Sequence, residues 1–502
     1  MATLDVSKKN FSKDTPLASE EYVVKAMPAI LGSLDMTAVY LVSIFFIVNA
    51  VSAATGGASG FTYWILAGIT FFIPCAVATA QLGAMFPHEG SLYNWTHKAL
   101  GGYWSFFIGF CAWFPGVLVI VSGADGVITA LQALNPTWLV EAWQQGLVIV
   151  SIILFSGFLS TQRFRTVQNI VNVVIGLVFL AVAIIGIAGI LWLLKGHPAA
   201  SSFNHWSDWS IKWGDPNTTN IGLFGTITLA YLGTEVPLNM GGEITERKVI
   251  TRHLLWGTLL VLVGYFVTTF SVLIVQGQNA AMNASNPDSI LIGTVDQVFG
   301  GKIFGNIIAL AIMAFFVIVP VVYNYAFARL LLVAGIDQRL PVNIGKLNKH
   351  RVPANAIFFQ TIITVVLSAI IFFVVPYITH LGKPEDLANE VYFVVQAATT
   401  LVWAVSCTFF FVNLGIFYFR DSRTFHLHRI FPMPVLVACA IVGPIACAFA
   451  IVDTLFNSWI VGLIPNANWW YIVGGLTLVC LIVAAIGSML ASSEAAWQDL
   501  SK

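Results

Sequence analysis

Apolar runs of roughly 18 to 28 residues recur along this chain from about residue 28 to residue 490. A helix needs about 20 apolar residues to cross some 30 Å of hydrocarbon, so each run can span a bilayer. Twelve runs, numbered spans 1 to 12, fall near 28–53, 62–86, 102–133, 144–160, 167–194, 221–242, 253–277, 305–333, 354–378, 391–418, 432–455 and 468–490. Charged residues make up only 9% of the 502, too few to cover a soluble protein of this length. The expected class is an all-α polytopic membrane protein of 12 transmembrane helices whose first partner is the lipid bilayer.

Basic residues set its orientation. With the N-terminus inside, inner segments hold 19 Lys and Arg, and outer segments hold only Lys195, Lys212, Lys302 and Lys383. Both termini are therefore expected in the cytoplasm, with the protein in the cell membrane. The first 25 residues are polar and carry no apolar core of a cleavable signal, so 1–27 and 491–502 read as short cytoplasmic tails. No basic domain or stripe suits nucleic acid. All six cysteines sit inside apolar runs without CxxC or metal spacing, so no metal or cofactor is expected. Nothing in the sequence fixes an oligomeric state.

The chemistry inside the spans separates the functional classes. An enzyme needs converging nucleophiles, metal ligands or acid–base pairs, and no such motif lies within a span. A channel would show pore motifs or rings of charge, and a sensor an added soluble domain. The chain has instead helices interrupted by Gly and Pro beside isolated carboxylates, as secondary transporters do. Span 6 reads Ala230-Tyr231-Leu232-Gly233-Thr234-Glu235-Val236-Pro237. Pro237 cannot donate its backbone N–H, and Gly233 tolerates unwound backbone. Half-helix ends there offer N–H groups to a carboxylate and carbonyls to an amine. Glu235, an ionisable group at membrane depth, is the candidate for coupling or gating. Asp35 is the only acid of span 1, either a second coupling group or a carboxylate facing water. Asp125 and Asp453, toward the outer ends of spans 3 and 11, fit a solvated interface better.

Three stretches carry a family resemblance. FFIP at 71–74, continuing into AQLGAMFPHEGSLYNW at 80–95, is the first. LAYLGTEVPLNMGGE at 229–243 and RLLLVAGIDQRLPVNIGKLNKHRVP at 329–353 follow in matching order and spacing. Together they resemble the amino acid–polyamine–organocation (APC) superfamily, most closely its glutamate:GABA antiporter branch. The resemblance implies a LeuT-type fold with broken helices 1 and 6. Its 5+5 inverted repeats would cover 28–220 and 221–431, with spans 11 and 12 at 432–490. It also implies an amino acid site among spans 1, 3, 6, 8 and 10. Carried over, that site comprises Val42, Ser43 and Ile44 at the span 1 break, Pro115 and Gly116 in span 3, and Ala230, Tyr231, Leu232 and Gly233 in span 6. Tyr323 in span 8 takes a gate-like position. A competing register for the span 1 break, Gly32-Ser33-Leu34, keeps a glycine but spoils the spacing.

Two departures bear on coupling. Residues 166–194 contain no Lys or Arg where some proton-coupled relatives place a Lys, and 314–333 contain no Ser or Thr of a sodium site. An amino acid exchanger is then the simplest expectation, with Glu235 as the remaining proton-linked group. Proton symport and polyamine or cationic amine transport are the alternatives.

Overall fold

The computed structural model describes residues 17–213, 219–284, 286–378, 384–460 and 464–500. The basic residues Lys8, Lys9, Lys13, Lys383 and Lys502 lie outside that set. Ten helices are long and apolar enough to cross a membrane, from Ser59–Met85 to Asn466–Ser493, and they coincide with ten of the twelve expected spans. The other two are spans 1 and 6, and both are broken. Span 1 is helical over Ser33–Ile44 and again over Asn49–Ala54. Span 6 is helical over Leu223–Ala230, then passes through unwound backbone into 3-10 turns at Val236–Asn239 and Gly241–Glu243. Hydropathy ignores backbone geometry, so it placed these two runs without showing how little regular helix each retains.

Other helices absorb their prolines. Span 3 runs unbroken over Gly102–Leu134 through Pro115, and span 8 over Lys302–Ile336 through Pro320. These two helices cross in close packing. A Cβ added at Gly126 would sit 2.4 Å from the Phe316 ring, and one at Gly116 would sit 2.8 Å from Phe327. The helix backbones approach because glycines leave room, as is usual where lipid provides no hydrophobic drive for association. Outward faces remain apolar: Leu154, Phe155 and Phe158 of span 4 and Ile482, Val483 and Ile486 of span 12 are exposed. In water such faces would be a liability; in lipid they are the solvent-facing side.

The described part of the expected N-terminal tail is mostly helical. Ala18–Ala26 forms a helix that buries Val23 and Met27 against Leu332, and Ser19 bonds Asp337 through its backbone N–H (3.0 Å) and its hydroxyl (3.1 Å). At the other terminus the last helix continues to Leu500.

Candidate functional site

The two breaks face each other inside the bundle. Gly233 has φ +110°, a backbone shape that L side chains rarely adopt, and a Cβ there would lie 3.2 Å from the Ser43 carbonyl oxygen. A glycine at 233 therefore permits both the unwound chain of span 6 and its approach to span 1. Among the described residues, the backbone N–H groups of Ile47, Val48, Gly233 and Thr234 donate no hydrogen bond to the protein. Such donors are rarely left unmatched in a protein interior. Clustered at two helix breaks, they are free donors of the kind that can bind a carboxylate.

The carbonyls are partly claimed. Tyr323 donates its hydroxyl to Ser43 O (2.8 Å), and Tyr265 reaches Ile44 O (2.7 Å) and Ala230 O (3.2 Å). The Tyr265 oxygen in turn accepts from the Phe46 N–H at 3.2 Å. Sequence reasoning left these carbonyls open to an amine; two tyrosines satisfy three of them here. The carbonyls of Tyr231 and Leu232 accept no protein hydrogen bond among the described residues.

Around the breaks stands an aromatic wall. Tyr231 stacks on Phe72 with centroids 4.4 Å apart and donates its hydroxyl to Trp64 O (3.3 Å). Trp64 stacks on Tyr265 at 4.2 Å, and Tyr323 on Phe327 at 5.3 Å. Gly116 lies against Phe327, its neighbour Pro115 is buried in the same helix, and Val42 is fully buried in the last turn before the break. Glu235 is 1% exposed; its Oε1 accepts from the Trp403 indole N–H at 2.7 Å, and its Oε2 has no partner. The same indole packs edge-on against Tyr323 and Phe327. One residue of span 10 thus joins the candidate coupling acid to the span 8 aromatics.

Helix Ser33–Ile44 ends on the favoured triplet Val42-Ser43-Ile44, while Gly32-Ser33-Leu34 falls at its beginning, where Gly32 is the N-cap. Asp35 does not face water. It is 5% exposed, pairs with Arg165 at 2.8 Å, accepts from Asn172 at 2.8 Å and bonds the Gly32 N–H at 3.1 Å. The reading of Asp453 as solvated is also corrected: it is 4% exposed and accepts the Gly225 N–H at 2.7 Å, near the start of span 6. In both cases a distant helix covers the acid, which depth along its own helix cannot reveal. Sequence reasoning missed Tyr265, Trp64 and Trp403 altogether. Trp403, the only Trp of span 10, was the one faint signal.

At the basic end a cavity of about 490 Å³ is lined by Ile30, Arg163, Phe164, Arg165, Glu243 and Arg351, among others. Among the described residues there is no cluster of three or more His, Cys, Asp or Glu able to hold a metal ion.

Comparison with known proteins gives the chain relatives along most of its length. The family model described as amino acid permease matches residues 29–486. An uncharacterized transporter of Legionella pneumophila is 23% identical over 326 residues, which is 61% of this chain and 66% of that protein. The branched-chain amino acid permease BcaP of Lactococcus lactis is 24% identical over 469 residues, 88% of this chain and 91% of its own. Among solved structures, MhsT in complex with L-phenylalanine covers 84% of this chain and 98% of its own, with a TM-score of 0.57 at 11% identity. That likeness makes the fold LeuT-type. These relatives do not single out a glutamate:GABA antiporter branch.

Proposed function

Because the chain belongs to the amino acid permease family, we propose that it carries amino acids across the cell membrane by alternating access, exchanging one for another. The observation that carries this reading is the pair of facing breaks with unmatched N–H groups at Ile47, Val48, Gly233 and Thr234. Those donors receive the α-carboxylate, and the open carbonyls of Tyr231 and Leu232 receive the α-ammonium. The residues proposed to line the substrate are Val42, Ser43, Ile44, Ala230, Tyr231, Leu232, Gly233 and Tyr323, backed by Pro115 and Gly116. An aromatic and aliphatic surround with no basic side chain among these residues suits a neutral amino acid. This choice accords with the name of the Lactococcus relative, a branched-chain amino acid permease.

Glu235 is proposed as the gating and proton-linked group, since its free Oε2 is buried beside the break. If it carries a proton with the substrate, the mode is symport, the second reading. Polyamine transport loses support: Asp35, one of the two acids it needed, is neutralised by Arg165. Asp35 and Arg165 instead suit a clasp between the entries of spans 1 and 5. The basic end is assigned to the cytoplasm by the Lys and Arg count, which puts the N-terminal helix inside.

The test is binding of a labelled neutral amino acid to the purified protein, with the methyl ester of the same amino acid as competitor. The free acid competes and the ester does not, because the ester lacks the charge that the N–H groups bind. Equal competition by the ester would move the site away from the breaks.

A further inference from the structure

Behind Glu243, which lines the basic-end cavity, Arg329 of span 8 is buried between two glutamates. Its Nε and Nη2 donate to Glu243 Oε1 at 3.0 and 2.9 Å, and its Nη1 donates to the Tyr325 carbonyl at 2.7 Å. Glu89, from the loop between spans 2 and 3, approaches the same guanidinium at 4.0 Å. Its Oε2 accepts the Gly242 N–H at 2.8 Å, while its Oε1 has no partner. Exposure is 3% for Glu89, 1% for Glu243 and 0% for Arg329.

The charges do not balance. A guanidinium is always protonated, so two ionised carboxylates around it leave one uncompensated negative charge that is almost fully buried. One proton shared by the pair removes it, and the unpartnered Oε1 of Glu89 is the atom with room to hold it. We infer that Glu89 and Glu243, bridged by Arg329, form a proton-binding site that is loaded while the basic end is closed and emptied when that end opens.

The surroundings support both parts of this inference. Glu243 lines the cavity, so a proton can reach the site from the aqueous space at the basic end. Of the other charged groups nearby, His88 lies on the same loop and Arg247 follows the exit of span 6. Glu20 of the N-terminal helix is neutralised by Lys98 at 2.8 Å. Arg163, Arg165, His350 and Arg351 line the same cavity as Glu243, with Arg165 paired to Asp35, and of the basic side chains among the described residues only that of Arg329 lies within 4.0 Å of either glutamate. Burial first, and the neighbouring Glu243 charge second, hold the Glu89 carboxyl well above the usual carboxylate range. A carboxyl raised in this way favours the closed form fully below its exposed value, and the advantage fades as pH rises through the closed-form value.

The site is also wired to the broken helices. The Glu243 backbone carbonyl accepts the N–H groups of Ile30 and Leu31 at 2.9 and 3.0 Å, and the Thr245 N–H donates back to Leu31 O at 3.1 Å. The Gly90 N–H donates to Asn239 O at 3.0 Å. Separating Glu243 and Glu89 from Arg329 would therefore move the entry of span 1, the exit of span 6 and the loop between spans 2 and 3 as one body.

The proposal rests on the alternating-access reading, and its test separates the two. Spin labels are placed on exposed positions either side of the cavity, through Glu246→Cys and Lys349→Cys, in the full chain. Their distance distribution is measured at pH 5.5 and pH 8 in lipid nanodiscs. The proposal expects the long-distance population to rise at least threefold at pH 8. In Glu89→Gln, a neutral isostere, it stays low at both pH values, and Glu89→Asp restores the dependence. Distances that ignore pH in the wild-type chain, or Glu89→Gln with the wild-type response, overturn the proton site. If a neutral amino acid still shifts the distances in those cases, the transport reading survives. If the chain transports no amino acid, that reading fails by itself.

Discussion

Replacing Gly233 by Ala tests the geometry at the breaks most sharply. The backbone at φ +110° lies where an L residue is strained, which costs about 1 to 3 kcal/mol. The added methyl would also stand 3.2 Å from the Ser43 oxygen, so the two breaks must part by a few tenths of an ångström. If this geometry is the one that binds substrate, that range corresponds to about 5- to 150-fold weaker amino acid affinity, at 1.4 kcal/mol per tenfold. Affinity is read by equilibrium binding to purified protein, with elution volume and melting temperature confirming that the variant folds. Gly176→Ala in span 5 serves as the control: its added methyl meets nothing within 4 Å. Wild-type affinity in a folded Gly233→Ala protein would refute the reasoning.

Other outcomes follow from the same contacts. Glu235→Gln weakens the pH response of transport while the protein still folds, checked by uptake across pH; an unchanged pH profile would leave Glu235 a structural role only. Trp403→Phe removes the hydrogen bond to Glu235 Oε1 and leaves a buried carboxylate with neither oxygen partnered, so exchange slows at least tenfold, measured as initial rate in vesicles. Replacing sodium with choline leaves the initial uptake rate unchanged. Asp288, in the helix Pro287–Phe299 between spans 7 and 8, is pushed up to about 7 by burial and then by Asp125, and neither carboxylate oxygen has a partner. The penalty on its ionised form is absent below the ordinary value of 3.8, grows as pH rises and is complete once pH passes about 7, so Asp288→Asn raises the melting temperature more at pH 8 than at pH 5.

The reach of the sequence can be traced residue by residue. Ten spans were legible because lipid demands long apolar helices, and the chain has little freedom to hide them. The span 6 break was legible because Gly233 and Pro237 act locally, through φ and a missing donor. The groups that complete the breaks were not. Tyr265 meets Ile44 across 221 positions, and Trp403 meets Glu235 across 168. Asp35 and Asp453 show the same limit from the other side. Each looked accessible along its own helix, and each is covered by a helix or loop the local sequence does not mention. Arg329 and Glu243 both lay within the stretches that carried the family likeness, yet only the packed bundle shows that they share a buried charge with Glu89.

The most direct test of the account is counterflow in proteoliposomes of the purified protein. Labelled neutral amino acid is offered outside vesicles that are empty or loaded with the same unlabelled amino acid, with and without a proton gradient. Saturable uptake is expected that depends on the internal amino acid and is not driven into empty vesicles by the gradient. Uptake into empty vesicles that never saturates would contradict it.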